Sequence, residues 1–399
     1  MLGAIAHGVT EIAQLAPGRD VAATVACLRA LGAAIETTGP GAVRITGRGG
    51  SDFRTPATAL DAMNSGTTMR LLSGVLAGYP VRARLVGDAS LSRRPMKRVI
   101  DPLAAMGATI ASDDGRPPLD IQGGSLDAIT WEPPVPSAQV KSAILLAGLR
   151  ARGVTTVREV APTRDHTERA FPVFGLAATV EGTRCSVAGG QRAAAPAEPL
   201  SVAGDPSSAA VWAAAAAAFP GSDVRLEGLC LNPFRLGFAA ALMRMGASVE
   251  MLTECVLGGE PVGTMRVRHE GHEATVIEPH EVPGLIDELP VLAARAALGG
   301  ALEVRGAGEL RVKESDRITA LVTGLRALGV DATEQPDGFV VRGDRQPTGG
   351  TADAAGDHRL VMAFTIVALG SAERSVIHGA DAVAVSYPAF DRDLARLTA

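Results

Sequence analysis

Leu28-Arg29-Ala30-Leu31-Gly32-Ala33 reads as the last turn of a helix, a glycine that closes it and the first residue of a strand. Glycine enters the left-handed conformation without a Cβ penalty, so helices often end on it this way. The hexad returns as Leu103-Ala104-Ala105-Met106-Gly107-Ala108, Leu242-Met243-Arg244-Met245-Gly246-Ala247 and Leu325-Arg326-Ala327-Leu328-Gly329-Val330, with a weaker copy at Phe171-Pro172-Val173-Phe174-Gly175-Leu176. The five closing glycines stand 75, 68, 71 and 83 residues apart, and Leu394–Leu397 offers a sixth copy with Thr398 in the glycine's place, 69 residues on. A period of that size is one α/β supersecondary unit, too long for a solenoid repeat. Six units follow, three in a lobe 1–203 and three in a lobe 204–399. Only 31 residues precede Gly32, so the first unit is expected to be incomplete, with Met1-Leu2-Gly3 running straight into the end of a helix.

At 399 residues, with 47% hydrophobic and 20% charged side chains, the chain is globular, with room for two cores. A formal net charge of −5 lacks the basic balance of a nucleic-acid binder. Cys27, Cys185, Cys230 and Cys255 make no Cys-x-x-Cys, and the seven histidines show no His-x-x-x-His spacing. Neither a metal nor a cofactor is expected, and scattered thiols suit a cytoplasmic protein. The N-terminus has no basic region ahead of an apolar core, so it is no signal peptide. The longest uncharged run, 206–222, contains Pro206, Pro220 and Gly221, which predicts a buried helix and not a membrane span.

Polar and cationic groups recur at the starts of apolar helices. Asn64-Ser65-Gly66-Thr67-Thr68-Met69-Arg70 predicts a turn feeding an amphipathic helix, whose exposed N–H groups and Gly66 suit an anion as well as an ordinary cap. Gly87–Lys97 places Arg93 and Arg94 before Pro95, a first helical residue. Ser137 and Gln139 stand at the mouth of the apolar helix that follows Pro136 and could bond a polyol, although capping also explains Ser137. Asp287 opens another apolar helix, where a carboxylate is either a dipole partner or a general base. Arg311-Val312-Lys313-Glu314-Ser315-Asp316-Arg317 holds three cations and two carboxylates in seven residues. Taken as helical, it brings Lys313, Glu314 and Arg317 to one face, either as a solvated ion-paired start or as an anion grip. Asp357-His358-Arg359 begins a further helix, with Asp357 to cap it and Arg359 to meet an anion.

These segments, with Thr163–Glu168 and Gly204–Ser208, occur in the order found in 5-enolpyruvylshikimate-3-phosphate (EPSP) synthase. The chain resembles that family over essentially its whole length. The resemblance implies an α/β, two-lobed enolpyruvyl transferase fold, an inside-out α/β barrel in which each lobe has three βαβαββ repeats. It implies transfer of the enolpyruvyl group of phosphoenolpyruvate to the 5-hydroxyl of shikimate 3-phosphate, with release of phosphate and no metal. Ser137, Gln139, Thr163, Asp287 and Lys313 would then bind shikimate 3-phosphate. Gly66, Arg94, Gln139, Arg317 and Arg359 would hold phosphoenolpyruvate, and Asp287, Glu314 and Lys313 would be catalytic. The partners would be these two small molecules, with no nucleic acid and no membrane, and the enzyme a monomer in the cytoplasm.

Three departures from the family's pattern stand out. Its Lys-Ser-x-Ser-x-Arg loop would precede Met1, so an N-terminally truncated member is expected, and an inactive homologue is the alternative reading. Met63 stands where a Gly usually precedes Asn64. Val385 stands where some members carry a Lys. The sister transferase acting on UDP-N-acetylglucosamine is the remaining alternative, but it usually carries a loop Cys, and Asp88–Lys97 has none.

Overall fold

The computed structural model describes residues 1–398. Each repeated glycine ends a helix in the left-handed region: φ is 106° at Gly32, 110° at Gly107, 67° at Gly175, 92° at Gly246 and 83° at Gly329. At four of them the next amide also reaches back to the last turn, as in Ala33 N to Leu28 O at 3.0 Å and Val330 N to Leu325 O at 3.0 Å; Ala108 and Leu176 do the same. This is the Schellman arrangement, and it satisfies carbonyls that a helix end would otherwise leave open.

The chain divides into two compact units, one of 1–202 with 257–259, the other of 203–256 and 260 onward. The first unit contains three four-stranded sheets of one design: a short strand parallel to a longer one, followed by two antiparallel strands. Their orders are Leu200–Ser201, His7–Ala13, Ala42–Arg48, Ala34–Gly39; then Leu60–Asp61, Arg82–Val86, Arg116–Gln122, Thr109–Asp113; then Thr130–Trp131, Val154–Arg158, Arg184–Ala188, Ala178–Glu181. The second unit repeats the design in Ala274–Ile277, Gly300–Val304, Gly338–Gly343, Asp331–Gln335, and adds a three-stranded sheet and the parallel pair Gly350–Asp353 with Ser375–His378.

Ahead of the first sheet's long strand stands only the short helix Leu2–Ile5, where the next two repeats have Gly66–Ala77 and Ala138–Gly148. A strand, His7–Ala13, precedes the helix Arg19–Ala30, and its sheet has four strands like the others. The short parallel strand comes from Leu200–Ser201 at the far end of the unit, in register with Ile12 and Ala13. Sequence spacing alone could not show that the repeat closes on a segment from the opposite end.

Two further boundaries differ from expectation. Arg311–Arg317 is not one helix: Gly308–Val312 is a 3-10 turn, and the α-helix Arg317–Ala327 starts where the Asp316 side chain accepts from Thr319 N at 3.2 Å. Asp is a better cap than an interior helix residue, so the chain breaks just before it. Pro95 also lies outside its helix, which spans Lys97–Ala105.

Packing sets the helix ends that carry polar groups. In the first unit, helices Gly66–Ala77 and Ala138–Gly148 lie against each other. A Cβ built on Gly74 would sit 2.7 Å from Ala143 Cα, so glycine allows this close backbone approach. In the second unit, helix Leu289–Ala297 packs against Pro206–Ala218 and His358–Leu369 over a core including Leu292, Phe364, Leu321 and Phe238. The run 206–222 is accordingly a buried helix over Pro206–Ala218, and no helix among the described residues is long and apolar enough to cross a membrane.

Arg295 is fully buried in this core and donates to Gly299 O at 2.7 Å, Met245 O at 2.8 Å and Gly271 O at 2.5 Å. It thereby serves two helix ends and a loop with one guanidinium. Burial pulls its pKa down to about 10, still charged at neutral pH. Arg295→Leu should cost at least about 3 kcal/mol, because three buried carbonyls lose a charged donor at once. Urea unfolding checks this; a loss below about 1 kcal/mol would show that the carbonyls find other partners.

Candidate active site

The first unit gathers guanidinium groups around one helix start. Ser65 caps helix Gly66–Ala77, accepting from Thr68 N at 3.1 Å, which leaves Gly66 as its first residue. Arg70 lies one turn further on and donates Nη1 to Gln139 Oε1 at 2.6 Å, while Gln139 Nε2 donates to Thr67 Oγ1 at 2.7 Å. Arg94, buried, donates to Asn64 Oδ1 at 2.7 Å and Ser90 Oγ at 3.4 Å, and Asn64 donates to Asp88 at 2.7 Å. A Cβ on Gly66 would lie 2.9 Å from Arg70 Nη1 and 3.4 Å from Arg94 Nη1. Two cations and a helix N-terminus therefore meet over a residue with no side chain, an arrangement suited to an anion. Met63, ahead of this turn, has φ of 53°, a region where a Gly would be unstrained.

Beside it, Ser137 caps helix Ala138–Gly148, accepting from Val140 N at 3.4 Å. One turn on, Lys141 is buried between Glu159 at 2.9 Å and Glu168 at 2.7 Å. Burial opposes its charge, but the two carboxylates outweigh that and raise its pKa above the ordinary lysine value. Thr163 donates its hydroxyl to Glu159, and its carbonyl accepts from Lys141 at 3.5 Å. Thr163 is thus tied into this ion network, whereas Gly66, Arg94 and Gln139 are joined through Arg70 and Asn64.

In the second unit the remaining expected residues form one cluster. Arg317, 1% exposed, donates Nε to Asp357 Oδ2 at 2.7 Å and Nη2 to Asp357 Oδ1 at 3.3 Å, Nη2 to Glu314, and Nη1 to Asp287 Oδ1 at 3.4 Å. Burial works against its charge, yet Asp357, Glu314 and Asp287 together push its pKa above the ordinary arginine value. Lys313 reaches Asp287 Oδ1 at 3.3 Å. Arg359 Nη1 donates to the Asp287 backbone carbonyl at 3.1 Å. Asp357 is fully buried, accepts from Ser315 Oγ at 3.1 Å and caps its own helix through Arg359 N at 3.0 Å. Asp287, Lys313, Glu314, Arg317 and Arg359 are therefore brought together. Four hydrogen bonds already occupy Arg317, which has five N–H donors.

Residue-by-residue reading overlooked Arg70 and assigned Asp357 only a capping role. For Arg70 the available signal was its spacing from Gly66, four residues along one helix face. No comparable pattern linked Asp357 to Arg317, 40 residues away. Among the described residues there is no group of three potential metal-binding side chains.

A family model described as EPSP synthase (3-phosphoshikimate 1-carboxyvinyltransferase) matches residues 1–394. The 3-phosphoshikimate 1-carboxyvinyltransferase of Acidithiobacillus ferrooxidans (strain ATCC 53993) is 48% identical over 391 residues, 98% of this chain and 90% of the relative. That of Methylococcus capsulatus is also 48% identical, over 394 residues, 98% of this chain and 89% of the relative. The solved structure of EPSP synthase from Acinetobacter baumannii shares the α/β fold with a TM-score of 0.87 at 40% identity, covering 100% of this chain and 92% of the other. The expectation of a truncated N-terminus is not supported by these matches.

His358, between Asp357 and Arg359, is buried; desolvation, reinforced by the Arg359 charge, pushes its pKa from 6.5 down to about 4. The folded protein keeps it neutral while the unfolded chain takes up a proton between those values. Stability is therefore whole above about pH 6.5 and falls as pH drops towards 4, by about 3 kcal/mol from this group. Denaturant unfolding at pH 7.5 and 4.5 should show a smaller acid loss in His358→Gln than in the parent. Parallel losses would refute the neutral imidazole.

Proposed function

The chain belongs to the EPSP synthase (3-phosphoshikimate 1-carboxyvinyltransferase) family, and we propose that the clusters around Gly66 and Arg317 carry its chemistry. It is a transferase that moves the enolpyruvyl group of phosphoenolpyruvate to the 5-hydroxyl of shikimate 3-phosphate and releases phosphate, in the synthesis of chorismate and the aromatic amino acids. In this reading Ser137, Gln139, Thr163, Asp287 and Lys313 bind shikimate 3-phosphate. Gly66, Arg94, Gln139, Arg317 and Arg359 bind phosphoenolpyruvate. The enzyme works in the cytoplasm as a monomer, without metal or cofactor.

The observation that carries the assignment is Asp287 itself. Its carboxylate lies by Lys313 and Arg317, and its backbone carbonyl holds Arg359. With Lys313 and Arg317 on either side, that carboxylate accepts the 5-hydroxyl proton. Glu314, held by Arg317, once protonated delivers that proton to C3 of phosphoenolpyruvate, which makes C2 electrophilic. The 5-oxygen then bonds to C2, giving a tetrahedral intermediate. A C3 proton returns to the Glu314 carboxylate as the C2–O bond breaks and phosphate leaves, which completes the transfer. The arginines supply fixed positive charge to the phosphate and carboxylate ends throughout. Arg317 has one Nη1 hydrogen left for a substrate, so its larger share is to hold Glu314 and Asp287 in place.

Phosphate release from the two substrates tests the reading. Asp287→Asn should lower kcat by about 10²–10⁴-fold with little change in KM, as loss of a general base does. No release by the parent chain would favour the inactive-homologue reading.

The missing side chain at Gly66 gives a second test. Glyphosate carries a phosphonate and a carboxylate, and should enter the same anion pocket and inhibit competitively with phosphoenolpyruvate. Gly66→Ala places a methyl against Arg70 and Arg94 and should raise the glyphosate inhibition constant about tenfold or more, the cost of overpacking a fitted site. Indifference of the active parent enzyme to millimolar glyphosate would refute the pocket assignment.

A further inference from the structure

Glu288 follows Asp287 directly, is 1% exposed, and faces a different set of partners. It accepts the hydroxyl proton of Ser207, and Ser207 accepts from Arg235 Nη2 at 2.7 Å. Arg235 also donates to Asp205 Oδ1 at 3.0 Å, and Asp205 caps helix Pro206–Ala218 through Ser208 N at 2.9 Å. Arg235 Nη2 and Glu288 Oε1 are 4.0 Å apart, so the Ser207 hydroxyl links one charge to the other. This chain, buried at Ser207, Arg235 and Glu288, joins the starts of helices Pro206–Ala218 and Leu289–Ala297 and the 3-10 turn Pro233–Arg235.

Glu288 occupies the N-cap position of helix Leu289–Ala297, where backbone direction is decided for the residue ahead of it. With its side chain held by Ser207, a turn of the Asp287 peptide works against that bond. That direction matters twice: the Asp287 carboxylate meets Lys313 and Arg317, and its carbonyl receives Arg359.

We propose that Glu288 is a positioning residue for the transfer reaction, locking the start of helix Leu289–Ala297 through Ser207 and Arg235 and so aiming Asp287 at its three cations. The inference rests on the transferase reading of Asp287. Small misplacements of a reacting group cost about 10²-fold in rate, so the effect belongs in kcat.

Glu288→Ala, Glu288→Gln and Ser207→Ala are compared with the parent by steady-state phosphate release and by 13C-carboxyl NMR titration of Asp287. Lys313 and Arg317 face that carboxylate, and Arg317 also pairs with Glu314. Glu288→Ala and Ser207→Ala should lower kcat by about 10–100-fold, leave KM within about threefold, and raise the Asp287 midpoint as its cations draw away. Glu288→Gln keeps an acceptor for Ser207 and should restore kcat to within about threefold of the parent. A purely structural role would lower the melting temperature while leaving kcat per folded enzyme and the midpoint unchanged, and that result overturns the proposal. Should Glu288→Ala fail to fold, Ser207→Ala decides: parental kcat and midpoint there overturn it equally. A parent enzyme that released no phosphate would sink the transferase reading, while the Asp287 midpoints would still settle whether Glu288 positions that carboxylate.

Discussion

The buried guanidinium of Arg317 is the constraint around which the second unit's polar cluster is arranged. A charge that is 1% exposed is tolerable only when its donors are matched, because desolvation removes what water supplied. Asp357, Glu314 and Asp287 match it from three separate stretches of chain. Each partner then has a second duty. Asp357 caps the helix that presents Arg359 and takes Ser315; Asp287 holds Lys313 and, through its carbonyl, Arg359. Removing one carboxylate would leave an uncompensated charge and loosen several contacts together. Stability and chemistry are coupled here, so a loss of activity on mutating Arg317 or Asp357 would not by itself reveal which had failed.

The first unit reaches a comparable concentration of charge by another route. Its cations are brought together by backbone proximity: Gly74 lets two helices touch, and Gly66 keeps a methyl out from between Arg70 and Arg94. Gln139 depends on both effects, since its amide is held by Arg70 and Thr67 from the neighbouring helix. An amide held at both ends presents a defined face to a ligand, at the cost of one bond to be exchanged on binding.

Much of this was legible in the chain. The glycine after each Leu-x-x-Leu or Leu-x-x-Met, and after the weaker Phe171–Phe174 copy, predicted helix ends, and all five adopt positive φ, because that signal is local and steric. The helix starts at Gly66, Ala138 and His358 were readable for the same reason. What local pattern could not reveal was pairing at a distance. The parallel strand Leu200–Ser201, the salt bridge from Arg317 to Asp357 and the Ser207–Glu288 bond join residues 40 to almost 200 positions apart. Nor could density of charge distinguish a helix from a capped break at Asp316. The resemblance brought the separated site residues into one account, but it did not show that Thr163 is held by Glu159 or that Arg317 is nearly saturated by carboxylates.

The strand His7–Ala13 has one neighbour made soon after it, Ala42–Arg48, and another, Leu200–Ser201, made far later. On a ribosome the chain appears from its N-terminus, at roughly 5–20 residues per second. The first sheet thus waits on the order of ten seconds or more with one edge unpaired. That edge is a ready template for the wrong strand. A sheet whose early strand is completed only by Leu200–Ser201 has built a checkpoint into its own order of manufacture: it is finished only after the strands of the unit's other two four-stranded sheets have emerged.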